Sequence, residues 1–364
     1  MALHTALYDV HASLGAKFSE FGGWDMPLEY EGVLKEHAAV RSSVGVFDVS
    51  HLGKLVVTGP GAADFINRTF TNDLGRIHVG KAQYTLACDA ATGGVVDDII
   101  VYLRADDDVL VVPNAANCAE VERRLRAAAP DDVSITNHHA DFVVLAVQGP
   151  KSDEVLDAMG FPTGHEYMSY ATHPFDGSEV VVCRTGYTGE RGYELIAPSE
   201  VAASLWKSIL EAGADHDIKP CGLGARDTLR TEMGYPLHGQ DLSPSITPLM
   251  GGVSWAVGWD KPEFWGRDVL LAQRTEGAPR LLRGLLAEGR GIPRAHMEIL
   301  GDEEEVIGEV TSGTFSPTLR QGIGLALIDR GVKVGDTVAV DVRGRRETFQ
   351  VVKPPFVTTD IRGS

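Results

Sequence analysis

Two adjacent carboxylates, Asp97 and Asp98, stand in a segment whose other residues are typical of a buried strand. They follow Gly93-Gly-Val-Val96 and precede Ile99-Ile-Val-Tyr102. Side chains alternate between the faces of a strand, so we expect the two carboxylates on opposite faces, at least one among apolar neighbours. A buried carboxylate is costly without a partner, and such groups often transfer protons or stabilise a positive charge. Two aspartates at a strand end, hydrated or paired with an arginine, would give the same pattern, and the segment alone leaves both interpretations open.

A glycine-rich segment, residues 184–194, offers a second candidate site. Gly186, Gly189 and Gly192 recur at every third position, and glycine lets the backbone approach a ligand closely or adopt positive φ. Tyr187 could stack on a flat ring, and Glu194 could accept paired hydrogen bonds from an amidine-like edge. An ordinary glycine-rich hairpin with an exposed tyrosine explains the same residues.

Two arginines stand one turn apart in a helix that the sequence predicts after Gly222-Leu-Gly224. Arg226, in the first turn, opposes the helix dipole unless it pairs with an anion, for which Asp98, Glu194 or a ligand are candidates. Structural pairing of Arg226 and Arg230 is the alternative. A dinucleotide-binding loop is excluded, because the third glycine of that fingerprint is missing and no clear strand precedes it.

Other motifs narrow the chemistry further. The hydroxyl-rich segment 311–319 is predicted to lie between strands and lacks the Gly-x-Ser-x-Gly elbow of a hydrolase, and the chain has no Walker loop. Cysteine and histidine spacings predict no metal site. The cysteines are expected to be reduced core residues, as in cytosolic proteins: Cys88, Cys118, Cys183 and Cys221.

Length and composition are those of a globular protein with two or three domains. The chain has 364 residues, of which 43% are hydrophobic and 23% charged. A formal net charge of −18 argues against a broad surface for nucleic acid or an anionic membrane. The sequence has no run of 18 apolar residues, and a cytoplasmic location is expected.

Predicted elements group these residues into larger units. A strand, a Gly-Pro turn and a helix start follow one another at residues 54–65 and again at 142–156, which suggests two related α+β halves, although so short a match could arise by chance. From about residue 280, short strands with a hairpin turn at Gly344 predict a small all-β unit, either a barrel or a sandwich. The boundary is predicted near 270–282.

Six segments in order give the chain a specific resemblance, which spans nearly its whole length. It resembles the T-protein family, the aminomethyltransferases of the glycine cleavage system. The segments are Phe21-Gly-Gly-Trp24, Phe47-Asp-Val-Ser-His51, Gly93-Gly-Val-Val-Asp-Asp98, Arg184-Thr-Gly-Tyr-Thr-Gly-Glu190, Gly222-Leu-Gly-Ala-Arg-Asp227 and Thr311-Ser-Gly-Thr-Phe-Ser-Pro317.

The resemblance implies an α+β fold, a three-domain cloverleaf around a central channel. Residues 1–275 would form a folate-binding aminomethyltransferase region of two intertwined α+β domains, and residues 280–364 a C-terminal β-barrel. The implied partner is the lipoylated H protein, which delivers an aminomethyl group, and the implied acceptor is tetrahydrofolate. The products would be methylene-tetrahydrofolate, ammonia and dihydrolipoyl H protein, with no metal, nucleic acid or membrane involved.

Roles carry over onto matching residues. Asp98 would be the catalytic carboxylate, which leaves Asp97 as a structural partner, and Glu194 would bind the amino edge of the pterin. Arg226 would lie where the lipoyl arm arrives. The remaining implied pocket residues are Tyr84, Tyr187, Asn114 and Tyr102, the last sharing a strand face with Asp98.

Related families offer alternatives. A folate-dependent demethylase would use the same pocket with another donor, and a non-catalytic folate-binding protein of iron–sulfur assembly would carry a cysteine motif that this chain lacks. Departures from the T-protein pattern concern the pocket rim. They are Leu52 in place of Met, His238 in place of Tyr, and a C-terminal segment, 356–361, without a tyrosine.

Overall fold

The computed structural model describes residues 2–301 and 304–361. The helices in these ranges are α1 (Tyr8–Ser13), α2 (Val33–Ser42), α3 (Ala62–Thr69), α4 (Cys118–Ala128), α5 (Ser152–Ala158), α6 (Ala202–Ala212), α7 (Leu223–Met233) and α8 (Arg267–Glu276). The strands are β1 (Lys17–Phe21), β2 (Trp24–Glu29), β3 (Gly45–Asp48), β4 (Leu55–Thr58), β5 (Lys81–Cys88), β6 (Val95–Ala105), β7 (Asp108–Val112), β8 (Ser134–Asn137), β9 (Phe142–Gln148), β10 (Tyr170–Phe175), β11 (Ser178–Cys183), β12 (Gly192–Pro198), β13 (Lys219–Pro220), β14 (Arg280–Ala287), β15 (Glu298–Leu300), β16 (Val306–Ser316), β17 (Gln321–Asp329), β18 (Thr337–Asp341) and β19 (Arg346–Val352). Among the described helices, none is long and apolar enough to cross a membrane.

The predicted internal repeat is confirmed by the topology of the two large sheets. One sheet has the order β5-β6-β7-β4-β8, and the other has the order β10-β11-β12-β9-β3-β13. In each, the strand before the Gly-Pro turn leads into a helix, an antiparallel trio of strands and a second helix. The first strand then pairs with the third strand of its trio, so the two halves are built alike.

Apolar residues on both faces of the sheets explain how these halves pack. Helices α3 and α4 cover the outer face of the first sheet, and α5 and α6 cover that of the second. The inner faces form a shared core together with α7. Each large side chain buried in this way contributes about 1.5–3 kcal/mol. The shared core includes Phe47, Tyr102, Leu110, Ile196 and Leu229.

The C-terminal strands close into a barrel with the order β14-β17-β16-β15-β18-β19. This confirms the α+β fold with a terminal β-barrel and rules out the sandwich. The prediction that segment 311–319 lies between strands is wrong, because β16 continues to Ser316 through a bulge between Val310 and Ser312. The division into regions 1–275 and 280–364 stays a prediction. All four cysteines are buried and unpaired.

Hydroxyl groups of β16 form hydrogen bonds that connect the barrel to the rest of the protein. Asp241 is completely buried, and its carboxylate accepts hydrogen bonds from Thr311 Oγ1 at 2.5 Å, Ser312 Oγ at 2.7 Å and Arg230 Nη1 at 2.9 Å. Glu232 of α7, also buried, accepts from Ser316 Oγ. The hydroxyl-rich segment is therefore a contact between the barrel and α7.

Candidate functional site

A cavity of about 1320 Å³ lies where the two sheets meet the barrel. Its walls come from β5, β6 and β12, from α7 and the loop that follows it, and from β14, β17 and the C-terminal segment. All seven residues predicted for the site line this one cavity: Tyr84, Asp98, Tyr102, Asn114, Tyr187, Glu194 and Arg226.

Asp98 faces the cavity from β6 and is held by two neighbours. Tyr84 donates its hydroxyl to Asp98 Oδ2 at 3.1 Å, and Asn114 Nδ2 donates to Asp98 Oδ1 at 2.9 Å. Burial and the Asp98 charge raise the pKa of Tyr84, so its hydroxyl remains a donor. Burial also raises the pKa of Asp98, against the opposing effects of His238, Tyr84 and Asn114. A carboxylate with raised proton affinity beside a cavity is suited to accept a proton.

Asp97 is completely buried and shares the amide of Asn114 with Asp98. Its carboxylate accepts from Asn114 N at 2.9 Å, Asn114 Nδ2 at 2.8 Å and Asn117 Nδ2 at 2.7 Å. We predicted that the two carboxylates diverge, but both reach one amide nitrogen. Pro113 has no N–H and ends the ladder after β7, so the next N–H, that of Asn114, bonds to Asp97, and the Asn114 side chain comes to lie beside both carboxylates.

The two glycines before the aspartates, Gly93 and Gly94, are required for different structural reasons. Gly93 has φ +71°, which closes the hairpin turn between β5 and β6. At Gly94, a Cβ atom would lie 1.8 Å from the carbonyl oxygen of Pro244. Val95 N donates to the carbonyl of Ser243, so the loop after α7 packs directly against the start of the Asp98 strand.

Glu194 is oriented by a chain of hydroxyls. Thr185 donates to Glu194 Oε2 at 2.5 Å, and the Tyr102 hydroxyl lies 3.2 Å from Thr185 Oγ1. Because Thr185 uses its hydrogen toward Glu194, it accepts from Tyr102. No residue in the described ranges donates to Glu194 Oε1, which leaves this oxygen available to a ligand in the cavity.

Tyr187 and Arg226 form a cation–π pair in the cavity wall. The guanidinium carbon lies 4.6 Å from the centre of the Tyr187 ring. The Tyr187 hydroxyl donates to the carbonyl of Pro236, and its ring stacks with that of Tyr235 at 5.7 Å. Among described residues, no carboxylate lies within ion-pair distance of Arg226, whereas Arg230 pairs with Asp227 and Asp241.

Three residues in contact with the predicted set were missed by sequence reasoning, and a fourth, His238, was noted only as a departure from the family pattern. Trp255 is 64% exposed and stacks on Tyr84 with ring centres 5.2 Å apart. His238 Nε2 contacts the carbonyl of Val95 at 3.0 Å. Thr185 lies within the segment 184–190, and Asn117 lies three residues after Asn114. The one local feature of the sequence that pointed to any of these four residues was the departure from the family pattern at His238. The three missed residues are Asn117, Thr185 and Trp255, of which Thr185 and Trp255 line the cavity.

Two cationic side chains lie on the barrel side of the cavity. Arg283 and Lys353 both line it, and no ion-pair partner of either is found among the described residues. Arg283 Nε is buried without a hydrogen-bond partner in the structure. An anionic group of a ligand would satisfy these charges.

Comparisons with known proteins cover both the region before the barrel and the barrel itself. Residues 7–261 match the family model described as the GCVT N-terminal domain, and residues 280–358 match the glycine cleavage T-protein C-terminal barrel domain. The chain is 60% identical over 358 residues to an aminomethyltransferase of Parafrankia sp. (strain EAN1pec), covering 98% of each protein. It is 56% identical over 363 residues to that of Mycobacterium tuberculosis (strain ATCC 25618 / H37Rv), covering 99% of this chain and 98% of the relative. The crystal structure of glycine cleavage system aminomethyltransferase T from Bartonella henselae superposes with a TM-score of 0.92 at 33% identity, covering 98% of each chain.

Proposed function

The chain belongs to the glycine cleavage T-protein family, and from that premise we propose which of its residues carry out one-carbon transfer. It is an aminomethyltransferase of the glycine cleavage system. The proposed substrates are the aminomethyl group on the lipoyl arm of H protein and tetrahydrofolate. The observation that carries the residue assignment is the position of Asp98 on the wall of the same cavity as Glu194, Tyr187 and Arg226.

The reaction replaces two bonds of the methylene carbon with two others. In the donor, this carbon is bonded to the lipoyl sulfur and to an amine nitrogen. Two folate nitrogens take their places, giving methylene-tetrahydrofolate. The two N–H protons of folate pass to the amine, which leaves as ammonia, and to the sulfur, which leaves as the dihydrolipoyl thiol. Nothing is oxidised or reduced, so proton transfer and charge stabilisation are what the protein must supply.

Asp98 is proposed to accept the proton from the attacking folate nitrogen. Its carboxylate is fixed by Tyr84 and Asn114, so no side-chain reorganisation is needed at the moment of transfer. As an anion it also stabilises the iminium-like cation that forms when ammonia leaves. General-base catalysis of this kind contributes a factor of about 100 to 10,000.

Glu194 is proposed to bind the pterin. Its free Oε1, and Oε2 beside Thr185, suit the amino and N–H groups along one pterin edge. Tyr187 would pack against the flat ring, with Arg226 beside it on the side where the lipoyl arm arrives. The anionic glutamate tail would extend toward the unpaired Arg283 and Lys353, which explains local positive charge in a chain of net charge −18.

A cytoplasmic location and the absence of nucleic-acid or membrane partners belong to the same proposal. Four buried, unpaired thiols support a reducing compartment. The strongly negative net charge supports small-molecule and protein partners over polyanionic surfaces.

The direct test supplies purified protein with aminomethyl-loaded H protein and tetrahydrofolate, and measures ammonia and methylene-tetrahydrofolate. Asp98→Asn should lower turnover by about 100-fold or more while tetrahydrofolate affinity stays within a few fold. Glu194→Gln should instead weaken tetrahydrofolate binding about tenfold, since it loses a charge-assisted hydrogen bond. Asp153→Asn is a control, because that carboxylate pairs with Arg191 outside the cavity.

Two results would contradict the proposal. Ammonia release that stays at background with active loaded carrier would remove the T-protein assignment and favour a demethylase, which could be checked with methylated amines as donors. Full turnover of Asp98→Asn would show that another group takes the proton.

A further inference from the structure

Asp97 has a chemical environment that its assignment as a structural partner does not explain. It is completely buried, yet among the described residues it has no cation within ion-pair distance. Its neighbours in the structure are amide N–H groups of Asn114 and Asn117. A carboxylate that only held the loop in place would cost less as an asparagine or a serine, since burying a charge without a counter-ion is unfavourable.

We propose that Asp97 is a positioning residue that remains an anion and thereby makes Asp98 the carboxyl group of the pair that takes up a proton. The proposal rests on the proposed function of Asp98. In a poorly hydrated site the charge of one carboxylate raises the proton affinity of the other, so the pair takes up one proton during the reaction and not two. The hydrogen-bond partners decide which of the two receives it.

Every hydrogen-bond partner of Asp97 favours its charged form. Three N–H donors point at its oxygens, and a protonated carboxyl would need an acceptor for its O–H. The orientation of the Asn114 amide is fixed, because its Nδ2 also lies 3.0 Å from the carbonyl oxygen of Asp98, which can only accept. A flipped amide would set two oxygens against each other.

Asn117 is fixed in the same way through His238. His238 Nε2 must donate to the carbonyl of Val95, so in the neutral ring Nδ1 is an acceptor. Asn117 Nδ2 lies 2.9 Å from that Nδ1 and 2.7 Å from Asp97 Oδ1, and it donates to both.

Asp98 has a partner of a different kind. Tyr84 hydroxyl can donate to the ionised carboxylate, and it can accept from the protonated carboxyl after a rotation of its own hydrogen. Burial raises the pKa of both carboxyls, and the Asp98 charge adds to the rise at Asp97. The rise in pKa is larger at Asp97, so the assignment of the proton to Asp98 rests on geometry: the three N–H donors on Asp97 offer no acceptor for an O–H, whereas the Tyr84 hydroxyl can accept one.

The test is the pH dependence of the single-turnover rate of methylene-tetrahydrofolate formation. The ionisable groups that face the pair are Tyr84, Tyr187, His238 and Cys118, and none of them is altered in the variant. Asp97→Asn should move the acid limb of the profile to lower pH by about one unit or more, because the neighbouring charge is gone. Asp153→Asn, which also removes a carboxylate with several donors, should leave the limb in place.

Each outcome bears on the proposal. A limb that is unchanged or moves to higher pH in Asp97→Asn overturns it, and so does a larger loss of turnover in Asp97→Asn than in Asp98→Asn. If Asp97→Asn does not fold, Asp97→Ser removes the same charge and takes its place, with the same shift expected and an unchanged limb overturning the proposal. Failure of the proposed function is a separate result, since the unaltered protein would then form no methylene-tetrahydrofolate at any pH.

Discussion

Asp48, within the segment Phe47-Asp-Val-Ser-His51, is expected to stabilise the fold without taking part in catalysis. It is 4% exposed and lies behind the cavity wall. Its carboxylate accepts from Thr5 Oγ1 at 2.7 Å, His11 Nε2 at 3.0 Å and Ser50 N at 2.8 Å, so it ties the N-terminal helix to β3. Asp48→Asn should therefore lower the free energy of unfolding and leave tetrahydrofolate affinity within a few fold.

The size of the effect follows from the pKa of Asp48. Burial raises this pKa, but hydrogen bonds and charge from His11, with smaller effects of Ser50 and Thr5, outweigh it and lower the pKa from 3.8 to about 2. That difference corresponds to about 2 kcal/mol of stability at neutral pH. Because the folded pKa lies below the unfolded one, the stabilisation is complete above the unfolded value and is lost as the pH falls through 2. About half of it remains at pH 3.

Urea unfolding of the unaltered protein and of Asp48→Asn at pH 7 and pH 3 measures this directly. The variant should be less stable by about 2 kcal/mol at pH 7, and the gap should shrink by about 1 kcal/mol at pH 3. Asp329→Asn is the control, since its partner Arg280 is on the surface and such pairs contribute about 1 kcal/mol or less. A gap that is the same at both pH values would refute the assignment of the stabilisation to the Asp48 charge.

Three further substitutions test the cavity wall and the contact with the barrel. Tyr84→Phe should slow the single-turnover rate about tenfold, since Asp98 loses a hydrogen-bond donor worth about 1.5 kcal/mol. The tetrahydrofolate dissociation constant should stay within about threefold, because the ring still stacks on Trp255. A larger change in affinity than in rate would contradict this. Arg226→Lys should raise the tetrahydrofolate dissociation constant about fivefold in a binding titration, because the planar guanidinium over the Tyr187 ring is lost. Unchanged affinity would argue against a pterin ring bound at this wall. Asp241→Ala should lower the free energy of unfolding in urea by about 3–5 kcal/mol, since buried Arg230 loses its buried counter-ion and two hydroxyls lose their acceptor, and a loss below 1 kcal/mol would refute the importance of this contact.

Elements with strong periodicity could be predicted from the sequence. The apolar residues on both sides of Asp97 and Asp98 predicted a buried strand, and β6 confirms it, because both faces of this strand are covered. Several strands were not predicted, β10 and β15 among them. Strand β15 has three residues and too little pattern to detect, and β10 carries His173 and Pro174, which suit an edge strand beside β11.

The candidate site, too, could be predicted only in part. Motifs located Asp98 and Glu194, since their segments are continuous in sequence. The groups that orient them are distant along the chain: Tyr102 contacts Thr185 over 83 residues, and His238 contacts the Val95 carbonyl over 143 residues. Such contacts are decided by how the halves pack on each other, and no local pattern encodes them.

The barrel contributes to the site although the predicted catalytic residues lie outside it. Hydroxyls of β16 hold the carboxylate of Asp241, and Asp241 Oδ2 accepts the N–H of Leu237 at 2.8 Å. Leu237 lies between Pro236, whose carbonyl accepts the Tyr187 hydroxyl, and His238, which contacts the start of the Asp98 strand. A displaced barrel would release this loop, and with it both the Tyr187 ring in the cavity wall and the amide network behind the carboxylates. The hydroxyl-rich segment, which carries part of the family resemblance without any nucleophile, is therefore explained by its hold on the loop that completes the cavity.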